Sequence, residues 1–524
     1  MSVTRISTNA SNQVLINRMI DLQQRVQTSQ VQLSSGFKSQ DYLGIAGDSF
    51  QLLNIENEKA RLQRYISNNS LTTTTLKAQQ TSAQGIDDVA RMIRSALLEF
   101  QGRDLSAQNP ENKAAVADLQ GKVYNAFSSV QYFLSQKIDG KYIFGGAQSD
   151  KPPFSLPYNS LQDFQNFYDG NTAVFPSSRV ANLVDITFND IDVTYATPSA
   201  PLDTTTQVTA ANPDAFITNT IDQTATGNLI FSNVADQGKI TAATPASFKS
   251  LQIGQTILVN GSTNSNNGVY TITSVSPDGN SITLDQPFNN PAVEPEANNV
   301  QVKLAVPNGT ALALTGSTAG NNGAYTVTWP TNAQLIAAGL DPNGGAIVTG
   351  DVIFTKAPIP VTTDPETITL DSRAFITGTN LGTTQRLSDT QSITMDVTGL
   401  DPAFEKVVRA FGILAQGDLI NHPDRVTQAL AVLNDAIEHS SLQPTEEKSD
   451  LQSVQDRIAI NIKALTDAKN VQTQFMAFLE GRQNEIEQVD KTETAVRLQT
   501  DAQTLEISYA SISKITSLSL LNYL

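Results

Sequence analysis

The chain has 524 residues, no cysteine, two histidines, and 51 acidic against 34 basic side chains, for a net charge of −17. Without thiols it can form no disulfide, cysteine nucleophile or cysteine-ligated zinc or iron–sulfur centre, and so acidic a surface disfavours nucleic acid and anionic membranes as partners. Its 39% hydrophobic content suffices for the cores of about three domains.

The opening Met1-Ser-Val-Thr-Arg-Ile-Ser-Thr-Asn lacks the apolar run of a signal peptide, and no stretch of about 18 apolar residues occurs anywhere. Taken alone this predicts a soluble, cytoplasmic chain unless another export route exists. Leu15, Met19, Leu22, Val26 and Leu33 then recur at spacings of four and three, with Ser29 breaking the row, which predicts a helix carrying a coiled-coil seam. Gly36 is a natural terminator for it. Helical patterning resumes near Ser49 and runs to Phe100, across four poor helix formers, Thr72 to Thr75, that require packing to hold them. Asn109-Pro110-Glu111 is a start signal for a further helix reaching about Lys137.

From Phe154 the composition turns to Thr, Asn, Gly and Val with alternating apolar positions, as in Ile186-Thr-Phe-Asn-Asp-Ile-Asp-Val-Thr-Tyr, which predicts strands. The segment 260–273, with Asn266-Asn-Gly-Val-Tyr, reappears at 315–328 as Asn321-Asn-Gly-Ala-Tyr, so two similar β modules are expected. Each copy predicts a hairpin, because Asn and Gly tolerate the positive φ that tight turns need. Residues 156–395 carry 19 acidic and 7 basic groups, most of the net charge, as a solvated outer surface would. No calcium-loop spacing occurs among these carboxylates. The single tryptophan, Trp329, follows the second copy. Exposed beside Tyr325 it would favour binding; buried, it would be core.

Asp401-Pro402 opens the returning helices with Phe404, Val407, Val408, Phe411 and Leu414 on one side, and Pro444-Thr-Glu-Glu reads as another start. Apolar positions from Leu451 to Leu479 lead into Ala495, Leu498, Ala502, Leu505, Tyr509 and Ile512, a second seam. A narrow stripe cannot be buried by its own helix, so the simplest arrangement packs the two ends of the chain together. The fold class is therefore α+β: long N- and C-terminal helices in an antiparallel coiled-coil-like bundle (1–155 and 396–524), with an inserted all-β region of two modules (156–395). His422 and His439 flank a predicted helix, and the pairs Asp87-Asp88 and Glu446-Glu447 sit in helical stretches where neighbours face apart, so neither a metal site nor an acid–base dyad is expected. No nucleotide loop or nucleophile elbow occurs. Catalytic residues, cofactor and metal are all expected to be none, and the chain is expected not to be an enzyme.

Four stretches resemble one family. Arg5-Ile-Ser-Thr, Leu33-Ser-Ser-Gly-Phe-Lys and the terminal Ile515-Thr-Ser-Leu-Ser-Leu-Leu-Asn-Tyr-Leu, with Gly140-Lys-Tyr-Ile-Phe-Gly-Gly at the exit from the first helices, resemble the flagellin superfamily and within it the flagellar hook-associated protein 3 family of hook–filament junction proteins. The chain departs from it at Gln40-Asp-Tyr-Leu-Gly, where many members carry an Asp-Asp pair. The resemblance implies a structural subunit of the extracellular flagellum, exported unfolded through the type III apparatus without a cleaved signal peptide. Implied partners are copies of itself, hook-side and filament-side proteins and an export chaperone. Leu15, Met19, Leu22, Val26, Leu33, Leu498, Leu505, Tyr509 and Ile512 are the candidate assembly interface. Filament flagellin is the alternative, and an adhesion module carried by the β region is a second.

Overall fold

The computed structural model describes residues 2–103, 105, 109–183, 185–221, 229–243, 245–291, 300–344, 350–355, 364–372, 374–440 and 446–521, with the side chains of 2–9, 11, 12, 220 and 515–521 excepted. The helices are α1 (Ser2–Ser35), α2 (Ser49–Gln101), α3 (Pro110–Leu134), α4 (Leu161–Phe167), α5 (Arg179–Leu183), α6 (Asn332–Ala337), α7 (Pro402–Ala415), α8 (Asp424–Ile437), α9 (Leu451–Glu487) and α10 (Lys491–Leu521). Two compact units emerge. One comprises residues 1–73, 386–392 and 463–524, and the other residues 74–385 and 393–462.

The first unit is helical. Its α1 pairs with α10, and the first part of α2 packs against the later part of α9 through Leu52, Ile55, Leu62, Leu479 and Ile486. Gly36, at φ +80°, ends α1 as its sequence signal requires. The continuous run into the terminal heptads is broken, however: α9 stops at Glu487, and Asp490 caps α10 by accepting from the Thr492 and Glu493 N–H groups at 2.8 and 3.1 Å. The break is stitched to the α1–α2 turn. Lys38 N–H donates to the Glu487 carbonyl at 2.6 Å, and Val489 N–H to the Gly36 carbonyl at 3.1 Å.

In the second unit, α7 is buried along nearly its whole length and pairs with α8. Both expected caps form: Asn109 Oδ1 accepts from Asn112 N–H at 2.8 Å, and Asp401 Oδ1 from Ala403 N–H at 3.0 Å. Pro444 lies outside the described residues, and Glu446 and Glu447 are not helical. The start of α9 is set by Asp450, whose carboxylate takes the Ser453 N–H at 2.6 Å. Glu446 instead joins Glu405 in using all five N–H groups of the buried Arg409, together with the Ser177 carbonyl, over distances of 2.6 to 3.2 Å.

The Gly140 to Gly146 stretch begins in the turn of a short hairpin, β1 (Lys137–Ile138) with β2 (Lys141–Tyr142). It then buries Phe144 edge-on against Phe404 at 5.3 Å. The chain leaves for the β region and returns from it along two adjacent rungs, Ser155 N–H to the Phe375 carbonyl at 2.9 Å and Thr377 N–H to the Pro153 carbonyl at 3.0 Å. Phe127, Phe154, Phe164, Tyr168, Phe175 and Phe375 pack around that neck.

Between the rungs stand two antiparallel sheets. The strands are β3 (Thr187–Ala196), β4 (Thr206–Ala210), β5 (Ile217–Thr220), β6 (Leu229–Val234), β7 (Gln237–Ala242), β8 (Thr256–Asn260), β9 (Gly268–Val275), β10 (Ser281–Leu284), β11 (Gln301–Ala305), β12 (Ala311–Thr315), β13 (Gly323–Thr326), β14 (Val352–Thr355) and β15 (Glu366–Ser372). One sheet runs β5-β11-β8-β9-β10-β7-β6, the other β13-β12-β15-β3-β4-β14. A bridge from Val327 to Thr355 brings the two ends of the second sheet together. Two apolar cores fill them, one around Phe231, Ile257 and Phe288, the other around Phe216, Trp329 and Phe354, to which Leu258, Val269 and Ala305 of the first sheet contribute. A last hairpin, β16 (Thr383–Arg386) with β17 (Ser392–Met395), precedes α7.

The repeat is structural as well as textual. In β8–β9 the Ser262 N–H donates to Asn267 Oδ1 (2.8 Å), the Asn266 N–H to Ser262 Oγ (3.1 Å) and the Tyr270 hydroxyl to the Asn266 carbonyl (2.9 Å). In β12–β13, Ser317, Asn321, Asn322 and Tyr325 repeat all three bonds at 2.9, 3.1 and 2.9 Å. The left-handed residues are Gly261 and Ser265 in one copy and Gly316 and Gly320 in the other, while the asparagines act through their side chains. The asparagine side chains bridge the loop, standing in for backbone partners.

Candidate assembly surface

The α1 seam lies where its spacing places it. Leu15, Met19, Leu22, Val26 and Leu33 are half-buried while the residues between them are mostly exposed, and Ser29, the break in the row, is buried to 2% exposure. On α10, Leu498, Leu505 and Ile512 are half-buried, but the positions between them are Thr494, Asp501 and Ser508, not Ala495, Ala502 and Tyr509, which are exposed. The pair therefore meets along an alternation of leucines and small polar groups. Arg25 Nη2 reaches across to Asp501 Oδ1 at 2.6 Å, and Arg497 Nη2 donates to Gln32 Oε1 at 2.9 Å. Tyr509, expected in the seam, stands beside it and accepts from the Gln23 amide. Asp501 is 4% exposed, and its Oδ2 has no partner among the described residues.

Pairing uses one side of each helix only. Val14, Ile16, Ile20 and Val31 of α1 remain outside, as do Val496 and Ile507 of α10, Val471, Phe475 and Phe478 of α9, and Phe50, Leu53 and Leu71 of α2. Phe475 and Phe478 stack on each other at 6.1 Å. With Phe37, Tyr42, Leu43 and Tyr509, the helical unit holds 16 of the 23 large apolar side chains that stand exposed among the described residues, on little more than a quarter of the chain. Scattered apolar residues need no explanation; it is this concentration that makes the helical unit the candidate assembly surface.

Groups with chemical potential are occupied structurally. His439 Nδ1 lies 2.9 Å from Asp435 Oδ1, and the buried Asp435 also takes Lys406 Nζ at 2.6 Å. Burial opposes ionisation of Asp435, but the hydrogen bonds from Lys406, Ser440 N–H and His439 hold its carboxyl below the usual range. Asp87 pairs with Arg91 at 2.9 Å, and Asp88 accepts from Gln84 at 3.0 Å. Among the described residues no three His, Asp or Glu side chains group to hold a metal, and no helix is long and apolar enough to cross a membrane. Trp329 is 8% exposed, donates Nε1–H to the Val306 carbonyl at 2.8 Å and packs edge-on to Phe354. It is core, and the Tyr325 hydroxyl is committed to its own loop.

Sequence periodicity missed two parts of this surface. Asp490-Lys-Thr-Glu carries the spacing of a helix start and could have located the α9–α10 break. The β16–β17 tip, residues 386–392, gave no signal of its own, yet packs on α2 and α9 within the helical unit. The terminal Asn522-Tyr-Leu lies outside the described residues.

No family model matches the chain, and no curated protein does. Among solved structures it is similar to the flagellar junction protein FlgL of Legionella pneumophila at 10% identity, over 83% of this chain and 99% of that one, with a TM-score of 0.27. It is similar to FlgL of Xanthomonas campestris at 10% identity, over 82% and 99%, with a TM-score of 0.23. The flagellar hook-associated protein 3 structure from Legionella pneumophila gives 9% identity over 90% and 99%, with a TM-score of 0.21.

Proposed function

We propose that this chain is a structural subunit of the bacterial flagellum that joins hook to filament through its terminal helices. The observation that carries the reading is the gathering of exposed apolar side chains on the unit built from both chain ends, the same unit that holds the Leu33-Ser-Ser-Gly-Phe-Lys element of the family resemblance. That element has a physical task here, since Gly36 and Lys38 tie the two helix breaks together. With the Leu15 to Leu33 and Leu498 to Ile512 stripes half spent on each other, further burial comes from neighbours on the outer faces. Copies of the same chain provide one set of contacts, and hook-side and filament-side proteins the others. Such heterologous contacts extend as a helix instead of closing as a dimer. In this role the chain is exported unfolded, with a chaperone, and is extracellular. The β modules supply an acidic surface and no catalysis.

The test is a deletion of the gene, with cells imaged by electron microscopy and flagellin assayed in the medium. Bare hooks with flagellin shed into the medium are expected. Fewer or thinner filaments on otherwise complete flagella would overturn the junction role in favour of a filament subunit, and unchanged motility would overturn both.

A further inference from the structure

In the first unit, α2 and α9 run antiparallel, with Lys59 Nζ on Gln483 Oε1 at 2.7 Å and Asn69 Nδ2 on Gln472 Oε1 at 3.1 Å. Asn69 is fully buried and Gln472 nearly so, in a seam otherwise made of leucine and isoleucine side chains. The two amides interrupt that seam in step. Asn69 stands one heptad beyond Leu62, and Gln472 stands midway between Leu465 and Leu479, a heptad from each.

Leucine seams accept several registers, because sliding by one heptad sets leucine on leucine again. Here it would not. A slide in one direction puts Asn69 against Leu465 and Gln472 against Leu62, and the opposite slide puts Asn69 against Leu479, stranding buried amides among apolar side chains in either case. We infer that the Asn69–Gln472 pair is the register key of the helical unit, selecting one alignment of α2 on α9 from those the leucines alone would allow. The β16–β17 tip holds the key in place. The buried Leu387 presents its carbonyl to both amides, to Gln472 Nε2 at 2.6 Å and Asn69 Nδ2 at 3.3 Å, while Asp389 takes the Tyr65 hydroxyl and Arg61 Nη1, both at 2.7 Å. Asn69 Oδ1 has no partner among the described residues.

The absence of native cysteine allows a direct test on the full chain. Spin labels at N68C and K469C, both exposed positions, report the α2–α9 alignment through their distance distribution in pulsed electron paramagnetic resonance. One distance is expected with the native pair. In N69L/Q472L, with helicity kept by circular dichroism, a second population is expected, corresponding to a slide of about 10 Å along the helix axis. A single unchanged distance would overturn the inference. Should the double variant fail to fold, Q472L alone, which keeps the Asn69 bond to Leu387, is read in the same way: a second population supports the key, and an unchanged distribution removes it.

Discussion

Glu366 shows how one carboxylate can organise a loop. Its two oxygens accept from Ser317 Oγ at 2.7 Å, from the N–H and Oγ1 of Thr318 at 3.0 Å each, and from Ala319 N–H at 2.6 Å, closing the second copy of the repeated hairpin. Desolvation opposes its ionisation, but the bonds from Ser317, Ala319 and Thr318 outweigh it and hold the pKa below the usual glutamate range. With a lowered folded-state pKa, the contribution to stability is complete above the unfolded value near about 4.3 and is lost as pH falls through the folded one. Glu366→Gln keeps the shape and loses the charge-assisted bonds. We expect it to lower stability by about 1.5 kcal/mol at neutral pH, with the difference from wild type shrinking in acid, as measured by urea unfolding at several pH values. A constant difference across that range would separate the loop from the ionisation of Glu366.

At the scale of elements, the α1–α10 pair rests on half-buried apolar side chains and, among the described residues, on one ionic contact across the seam. Arg25→Ala would leave Asp501 buried without its partner. We expect a loss of about 1 kcal/mol in the pairing, visible as faster amide exchange in α10 while exchange in α7 and α8 is unchanged. Equal exchange in wild type and variant would assign the hold to the rest of the seam. This pair also shows how far periodicity carries. On α1 every seam position was legible, and even the serine that broke the pattern proved the most buried of them. On α10 only the leucines and Ile512 were. Hydropathy preferred Ala495 and Ala502 to their neighbours Thr494 and Asp501, because it weighs one helix at a time. What buries Asp501 is Arg25 on another helix, distant in sequence but 2.6 Å away. The caps at Asn109 and Asp401 were legible for the opposite reason, being local chemistry. Glu446 was not, since its partner Arg409 lies on α7 and no spacing announces it.

Over the whole molecule, apolar burial is unevenly shared. Among the described residues, the α2–α9 cluster of the first unit has five buried members, against 22 and 15 in the two β cores of the second. Heating should therefore give two transitions: a lower one in which helical circular dichroism falls, and a higher one in which the emission of Trp329, the only tryptophan, shifts as its core opens. Coincident transitions by both probes would show that the units melt as one. The neck has a different consequence. Its two rungs, Ser155 to Phe375 and Pro153 to Thr377, fix where the chain departs and where it comes back, and they do so without reference to what is carried between them. The entropy of closing such a loop grows only with the logarithm of its length. The β region is thus a cassette on a fixed mount: lengthening one of its distal loops would cost little at the neck, where the aromatic packing sets the geometry.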